Sequence, residues 1–280
     1  MTILGKLSFW YADIGLPETR RPAFQGPSEA DVVVIGAGYT GLWAAWYLKA
    51  LAPGLDVLVV ERAFAGYGAS GRNGGFCCLP SAKLTIEQMV SRYGMEETKR
   101  FWAAQLDGVD YTRGIAAEEG FEIDAQGDGN LEVAHRPQAF KGLQDYGQQL
   151  THLFGIETRL FSAAEFAEQG FQSQEQHGAL LMKAGFGLHP LKLALGLGQA
   201  AEARGAKLHP SSEVTGWEKQ GGRHRLRTAG GVTVSADRVI LASNGFTREG
   251  LHSGFDRRMM PVLSNIIVTR PLTQEELAAQ

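Results

Sequence analysis

Three glycines near the start of the chain have the spacing that binds the phosphates of a dinucleotide. Gly36, Gly38 and Gly41 form the pattern G-x-G-x-x-G, and Glu61 lies 20 residues beyond Gly41. In such a site the first glycine permits a tight turn, the second lets the backbone approach a pyrophosphate, and the third lets a helix pack closely on a strand. The carboxylate of Glu61 would then accept hydrogen bonds from the hydroxyl groups of a ribose.

The sequence also predicts the elements that position these residues. The β-branched run 31–35 is typical of a parallel strand that is buried on both faces. An apolar segment after Gly41 predicts a helix whose N-terminal N–H groups face the phosphates. A second apolar strand, 56–60, ends at Glu61. This order predicts dinucleotide binding, with a purely structural βαβ turn as the alternative. Glu61 would repel the extra phosphate of NADP, so NAD and the ADP half of FAD remain open.

A second glycine-rich loop follows the second strand. Residues 63–78 read AFAGYGASGRNGGFCC and contain five glycines, with Arg72 and Asn73 between them. A loop with so many glycines normally brings its backbone close to another group. A flexible surface loop is the alternative, but it would not explain the embedded Arg72 and Asn73. The spacing around Ser70 does not fit the G-x-S-x-G nucleophile elbow.

These two motifs, GAGYTG and ASGRNGG, with Glu61 and Arg62 between them, resemble those of a known family. The chain is similar over nearly its whole length to the FAD-dependent oxidoreductases of the D-amino-acid oxidase, glycine oxidase and sarcosine oxidase superfamily. The aromatic N-terminal arm and the string ASGRNGG look most like the gamma-glutamylputrescine oxidoreductase branch. The resemblance implies FAD as cofactor and an α/β fold, α+β overall. A Rossmann-like FAD-binding domain would be interleaved with a substrate domain built on a mixed sheet.

The spacing and the resemblance together predict a set of cofactor-binding residues. These residues are Gly36, Gly38, Tyr39, Thr40, Gly41, Glu61, Arg62, Ala69, Ser70, Arg72, Asn73, Gly74, Gly75, Val214, Ala242 and Asn244. The resemblance implies that the backbone of Val214 faces the adenine and that the strand end 242–244 passes the cofactor. A purely structural role would explain Val214 and the segment 242–244 nearly as well.

Arg72 is also the candidate catalytic residue. A cation near the flavin ring could stabilise the negative charge that builds on the reduced flavin. The alternative is that Arg72 holds a phosphate or a backbone carbonyl. Tyr67 and Asn73 are weaker candidates for the same neighbourhood. A carboxylate substrate would require an arginine clamp, but the sequence does not single out an arginine for it.

The implied reaction is oxidation of the C–N bond of a small amine or amino acid by hydride transfer, giving an imine that hydrolyses. Oxygen is the expected electron acceptor. Such chemistry needs no metal, and the adjacent Cys77 and Cys78 cannot form a Cys-rich zinc site or a disulfide scaffold. Two alternatives remain open, namely an NAD-dependent dehydrogenase and a truncated, catalytically inactive module that binds FAD.

Composition narrows the class of protein further. The chain has 280 residues, 44% of them apolar, and a net charge of −3. This length favours two lobes, and the slightly negative net charge gives no indication of a basic surface for nucleic acid. The uncharged run 32–48 is interrupted by patterned glycines, which favours a buried βα unit over a membrane span. Without the apolar run of a secretory signal, a cytoplasmic location is predicted.

The predicted domains are discontinuous. Residues 1–30 form an extended arm without a helix, anchored by Phe9, Trp10 and Tyr11 and followed by a proline-rich stretch through Pro17 and Pro27. The predicted FAD-binding domain comprises 31–83 and 187–247, and the predicted substrate domain comprises 84–186 and 248–280.

The C-terminal end carries two further predictions. Residues 259–269 look like a strand of the substrate lobe. Thr273 and Glu276 form a capping box that starts a helix just before Gln280. A helix that begins so close to the end predicts a truncated chain, since the resembling family normally continues with more sheet and a late glycine motif.

Overall fold

The computed structural model of the protein describes residues 8–15, 21–26, 28–79, 83–169 and 172–278. The helices α1 to α8 are, in order, Phe9–Ile14, Tyr39–Leu51, Ile86–Tyr93, Met95–Glu118, Pro137–Phe154, Ala163–Glu168, Pro190–Ala203 and Gln274–Ala278. The strands β1 to β11 are, in order, Ser28–Ile35, Val57–Val60, Phe76–Cys78, Asn130–Val133, Thr158–Phe161, Ala179–Met182, Gly185–Gly187, Lys207–His209, Val214–Gln220, Arg223–Thr228 and Thr233–Leu241.

The chain forms two compact units, each made of separate segments. Unit 1 contains the described residues of 1–74, 119–123 and 189–266, and unit 2 contains those of 75–118, 124–188 and 267–280. The chain therefore alternates between two units, and unit 1 continues to 266, beyond the predicted boundary at 247. The assignment of unit 2 to substrate binding stays a prediction.

Unit 1 is built on a six-stranded sheet in the order β8-β2-β1-β11-β10-β9. The first four strands in this order run parallel, whereas β10 pairs antiparallel with both of its neighbours. On one side, β1 pairs with β2, which follows it through α2; on the other side, it pairs with β11, which comes from far along the chain. Such a reversal of strand order opens a crevice at the carboxyl ends of the strands, where α/β proteins bind ligands.

The centre of this sheet is apolar, and its side chains are buried on both faces. Val33, Val34 and Val57 have no exposed surface, as expected for parallel strands that are buried on both sides. Helices α2 and α7 contact each other, and α2 also contacts β1 and β2. Most of α7 is buried, including Leu191 and Leu197. The predicted strand–helix–strand unit between 31 and 60 is thus present.

Unit 2 contains two small antiparallel sheets. Strands β4, β6 and β5 form one sheet with β6 in the centre, and β3 pairs with β7 in the other. Trp102 of α4 stacks on Phe154 at the end of α5, with ring centroids 4.7 Å apart. Pro137 occupies the first turn of α5, where a missing backbone N–H costs nothing.

The N-terminal arm differs from the prediction, because Phe9–Ile14 forms the helix α1. A helix of six residues is too short to be stable by itself, and its sequence carries no helical periodicity. It forms because Tyr11, 1% exposed, packs into a cluster with Phe64 and Leu191. Pro17 and Pro27 lie outside the described residues.

The prediction of a strand at 259–269 is wrong. These residues have no regular structure, and Leu263 and Ile267 are each 92% exposed. A strand requires a neighbouring strand to pair with, and the sheets of the described residues offer none to this segment. The predicted capping box is present, because Glu276 N donates to Thr273 Oγ1 and Thr273 N donates to Glu276 Oε2 at the start of α8.

Throughout the ranges that the structure describes, no helix is both long enough and apolar enough to span a bilayer.

Candidate cofactor site

A cavity opens in unit 1 at the carboxyl ends of β1, β2 and β11. It contains about 790 Å³ of empty space, including its open mouth. Several of the predicted cofactor residues lie on its wall, namely Gly36, Gly38, Glu61, Arg62, Ala69, Ser70, Val214, Ala242 and Asn244. The other predicted residues do not line it, namely Tyr39, Thr40, Gly41, Arg72, Asn73, Gly74 and Gly75. Gly75 belongs to unit 2.

Gly36 follows β1 and has a backbone conformation that favours glycine. Its φ is +105°, and a Cβ atom at this position would lie 2.8 Å from the carbonyl oxygen of Ala242. The amide of Ala242 donates to the carbonyl of Ile35 at 2.8 Å. Glycine therefore lets the ends of β1 and β11 approach each other at the floor of the cavity.

The two other motif glycines govern how α2 packs. A Cβ atom at Gly41 would collide with the carbonyl oxygen of Gly36, so only glycine allows the helix to lie this close to β1. At Gly38, which caps α2, a Cβ atom would lie 2.9 Å from Ser70 Oγ. The same Ser70 hydroxyl accepts a hydrogen bond from the amide of Tyr39 at 2.9 Å. The second glycine loop thus meets the N-terminus of α2.

Glu61 lies on the cavity wall with its carboxylate held by two backbone amides. Ala37 N donates to Oε2 at 2.8 Å, and Ala63 N donates to Oε1 at 2.9 Å. Each carboxylate oxygen can accept two hydrogen bonds. Both oxygens therefore keep acceptor capacity for a ligand, as the predicted ribose contact requires.

Two arginines flank a pair of aromatic rings on the cavity wall. The guanidinium carbon of Arg62 lies 5.6 Å from the ring centre of Tyr67 and 5.1 Å from that of Phe246. For Arg72 the corresponding distances are 5.4 Å and 5.8 Å. Neither arginine forms an ion pair with any described carboxylate. The two guanidinium groups therefore place positive charge beside these rings, which suits an anionic ligand.

Arg72 itself performs one of the two roles weighed from the sequence. Its Nε donates to the carbonyl oxygen of Gly68 at 3.2 Å, so it holds the backbone of the second glycine loop. Asn73 acts in a similar way, because its Nδ2 donates to the carbonyls of Ala69 and Ser70 at 3.1 Å and 2.9 Å. Both side chains shape the loop from outside the cavity wall, and a catalytic role for Arg72 stays a prediction.

The cavity wall also includes residues that sequence reasoning missed, among them Glu213, Phe246, Arg248 and Leu251. Arg248 lies 4.0 Å from Glu213. Phe246 lies two residues beyond the segment 242–244 that the resemblance places beside the cofactor. In the structure β11 ends at Leu241, and Asn244–Phe246 forms a short 3-10 turn that brings the Phe246 ring to the cavity.

Among the residues that the structure describes, no group of three or more His, Cys, Asp and Glu side chains is arranged to hold a metal ion.

A protein-family model described as "DAO: FAD dependent oxidoreductase" matches residues 31–280. The probable oxidoreductase OrdL of Rhizobium meliloti is 30% identical over 266 residues, which cover 94% of this chain and 60% of that protein. The gamma-glutamylputrescine oxidoreductase of Escherichia coli is 30% identical over 245 residues, which cover 88% of this chain and 56% of that protein. The chain thus spans only part of the length of these relatives.

Solved structures show the same fold at lower identity. Glycine oxidase from Geobacillus kaustophilus superposes with a TM-score of 0.62 at 20% identity, covering 78% of this chain and 56% of that one. An L-amino acid deaminase from Proteus vulgaris gives a TM-score of 0.64 at 21% identity, covering 81% of this chain and 50% of that one. The predicted α/β fold class is confirmed.

Proposed function

The chain belongs to the DAO family of FAD-dependent oxidoreductases, and from this premise we propose that it binds FAD in the cavity of unit 1 and oxidises the C–N bond of an amine or amino acid. The family predicted from the sequence is confirmed by the same match. One observation carries the proposed binding site. Glu61 is fixed by the Ala37 amide on the wall of a cavity at the carboxyl ends of β1, β2 and β11.

The residues of the cavity fit the ADP half of FAD. Gly36 and Gly38 expose backbone where a Cβ atom would crowd Ala242 or Ser70. Gly38, which caps α2, lies on the cavity wall, so a pyrophosphate there would face the positive dipole end of the helix. Arg62 and the carboxylate of Glu61 add a cation for the phosphates and acceptors for the ribose hydroxyls. The contact between Val214 and the adenine remains part of this proposal.

The names of the matched proteins support the class of substrate. They include a gamma-glutamylputrescine oxidoreductase, a glycine oxidase and an L-amino acid deaminase, which share a C–N bond as their target. When bound, FAD supplies the acceptor for the hydride that leaves the carbon atom of this C–N bond. The chain's own residues bind and orient the cofactor, and Arg62 and Arg72 maintain a positive potential beside it. Oxygen as acceptor and a cytoplasmic location rest on the sequence alone.

The test is a visible absorption spectrum of the purified protein with added FAD, recorded before and after anaerobic addition of a panel of amines and amino acids. We expect a bound-flavin spectrum that bleaches with the substrate class. A flavin spectrum that no amine bleaches would favour binding without turnover. Failure to bind FAD would contradict the proposal, and a parallel titration with NADH would then test the dehydrogenase alternative.

A further inference from the structure

Helix α1 holds the second glycine loop at two backbone carbonyls. The Tyr11 hydroxyl donates to the carbonyl oxygen of Tyr67 at 2.5 Å, and Trp10 Nε1 donates to the carbonyl oxygen of Asn73 at 2.8 Å. These carbonyls bracket residues 68–72, and Gly68, Ala69 and Ser70 in this stretch reach the cavity wall. Two adjacent residues of one helical turn therefore fix both ends of the stretch that faces the cavity.

Helix α1 is itself anchored to the body of unit 1. The ring of Tyr11 meets the edge of Phe64 with centroids 5.5 Å apart. The ring of Trp10 lies 4.7 Å from that of His189, whose Nδ1 accepts from the amide of Lys192 and caps α7. Because both contacts are made with well-buried elements, α1 can act as a rigid support.

The stretch 68–72 needs such a support. Glycine has more conformational freedom than any other residue, so ordering a glycine-rich loop costs entropy. A loop that is already ordered before the ligand arrives binds it more tightly, because the ligand need not provide that ordering. The bonds made by Arg72 and Asn73 lie within the loop itself. The bonds to α1 tie the loop to a separate part of unit 1.

We propose that α1 is a clamp that preorganises the second glycine loop, and that Trp10 and Tyr11 are positioning residues for the cofactor. This inference rests on the proposed function, since the ligand that benefits is the FAD proposed for the cavity. Neither residue lies on the cavity wall, so their effect on binding is indirect and passes through the backbone of the loop.

The test compares Trp10→Phe and Tyr11→Phe, which each remove one hydrogen bond and keep an aromatic ring. Trp46→Phe is the matched control, because it removes the bond from Trp46 Nε1 to Glu119 Oε1, and neither of these residues belongs to the loop. Amide hydrogen exchange at 68–72 is measured in the cofactor-free protein, and the FAD dissociation constant is measured by titration well below the unfolding temperature. We expect faster exchange at 68–72 and about five- to thirty-fold weaker FAD binding for each clamp variant.

The two measurements separate the possible failures. If the wild-type protein binds no FAD, the proposed function fails, and the exchange rates alone decide whether α1 orders the loop. Unchanged exchange at 68–72 in the Trp10→Phe and Tyr11→Phe variants would overturn the clamp. Faster exchange with unchanged FAD affinity would overturn the positioning role. A variant that lowers only the unfolding temperature, as Trp46→Phe is expected to do, would show a merely structural contact.

Discussion

The backbone amide of Ala37 donates a 2.8 Å hydrogen bond to Glu61 Oε2. This bond joins the first glycine loop, at the end of β1, to the residue that follows β2. Ala63 N holds the other oxygen of the same carboxylate. The orientation of Glu61 is therefore set by the protein itself, before a ligand reaches the cavity.

Removing this carboxylate should weaken both folding and cofactor binding. In Glu61→Ala the amides of Ala37 and Ala63 lose their acceptors, so we expect the free energy of unfolding to fall by about 1–3 kcal/mol. The FAD dissociation constant should rise about tenfold or more, because the ribose would lose a charged acceptor. Urea unfolding of the cofactor-free protein and an FAD titration measure the two effects.

Glu213→Ala is the control for this experiment. Its carboxylate also lies on the cavity wall, but the ion pair it makes with Arg248 is long, at 4.0 Å. A long, partly exposed ion pair contributes little, so this variant should unfold almost like the wild type. Equal losses of unfolding free energy in Glu61→Ala and Glu213→Ala would contradict the special role of Glu61.

Gly41→Ala should destabilise the protein strongly. The added Cβ atom would collide with the carbonyl oxygen of Gly36, and Val34 Cγ1 lies only 3.1 Å away. Since the nearest obstacle is backbone, α2 must move away from β1, and we expect a loss of about 2–4 kcal/mol in the free energy of unfolding.

A matched helical glycine should respond in the opposite direction. Gly108 lies inside α4 with nothing within 4 Å of an added Cβ atom. Alanine is the better helix former, so Gly108→Ala should raise the free energy of unfolding by about 0.5–1 kcal/mol. Urea unfolding of both variants checks the pair. A neutral result for Gly41→Ala would show that α2 can shift without cost.

The protein should lose stability at alkaline pH, where the phenol of Tyr11 ionises. Burial, as the main cause, raises the pKa of Tyr11 from 10.0 to about 12. Between these values the folded protein keeps the phenolic proton that the unfolded chain releases. The free energy of unfolding therefore falls as pH rises from 10 to 12, by about 1.4 kcal/mol per pH unit at most, whereas below pH 10 the contribution is complete.

The measurement is urea unfolding of the wild type and Tyr11→Phe at several pH values across this range. Titrations of other groups are common to both proteins and cancel in the difference. Tyr11→Phe should be less stable than the wild type near pH 9, and this difference in the free energy of unfolding should narrow as pH approaches 12. Parallel curves would contradict the raised pKa of Tyr11.

The segment 259–269 should be the first part of unit 1 or unit 2 that a protease cuts. Its apolar side chains are exposed, with Leu263 and Ile267 each at 92%, and its backbone has no regular structure. Exposed backbone of this kind fits a protease active site without prior unfolding. Brief chymotrypsin digestion followed by mass spectrometry should find cleavage after Leu263 before cleavage after the fully buried Leu191 of α7. Protection of Leu263 would indicate that another polypeptide covers the segment.

Local sequence was sufficient wherever neighbouring residues determine the structure. The strand 31–35, the three motif glycines and Glu61 could be predicted because strand burial, the turn and the helix packing all lie within one βαβ unit. The capping box at Thr273 and Glu276 was predictable for the same reason, since capping depends on residues three positions apart.

The helix α1 could not be predicted, because nothing in FWYADI is periodic; Tyr11 is ordered by Phe64 and Leu191, which are distant in sequence. The cavity positions of Phe246 and Arg248 were missed because they depend on where β11 ends. The segment 259–269 shows the converse. Its β-branched run has strand propensity, but it forms no strand because none of the described strands pairs with it.

The sequence by itself therefore determined the βαβ unit, its glycines and its acidic end, because their geometry is set by contacts within about 30 residues of chain. Only the tertiary structure decided that Arg72 holds the carbonyl of Gly68 and that α1 supports the loop. Those outcomes depend on which distant segments pack together. That choice is made by burial across the whole of unit 1, and it leaves no periodic or spaced signal in the chain.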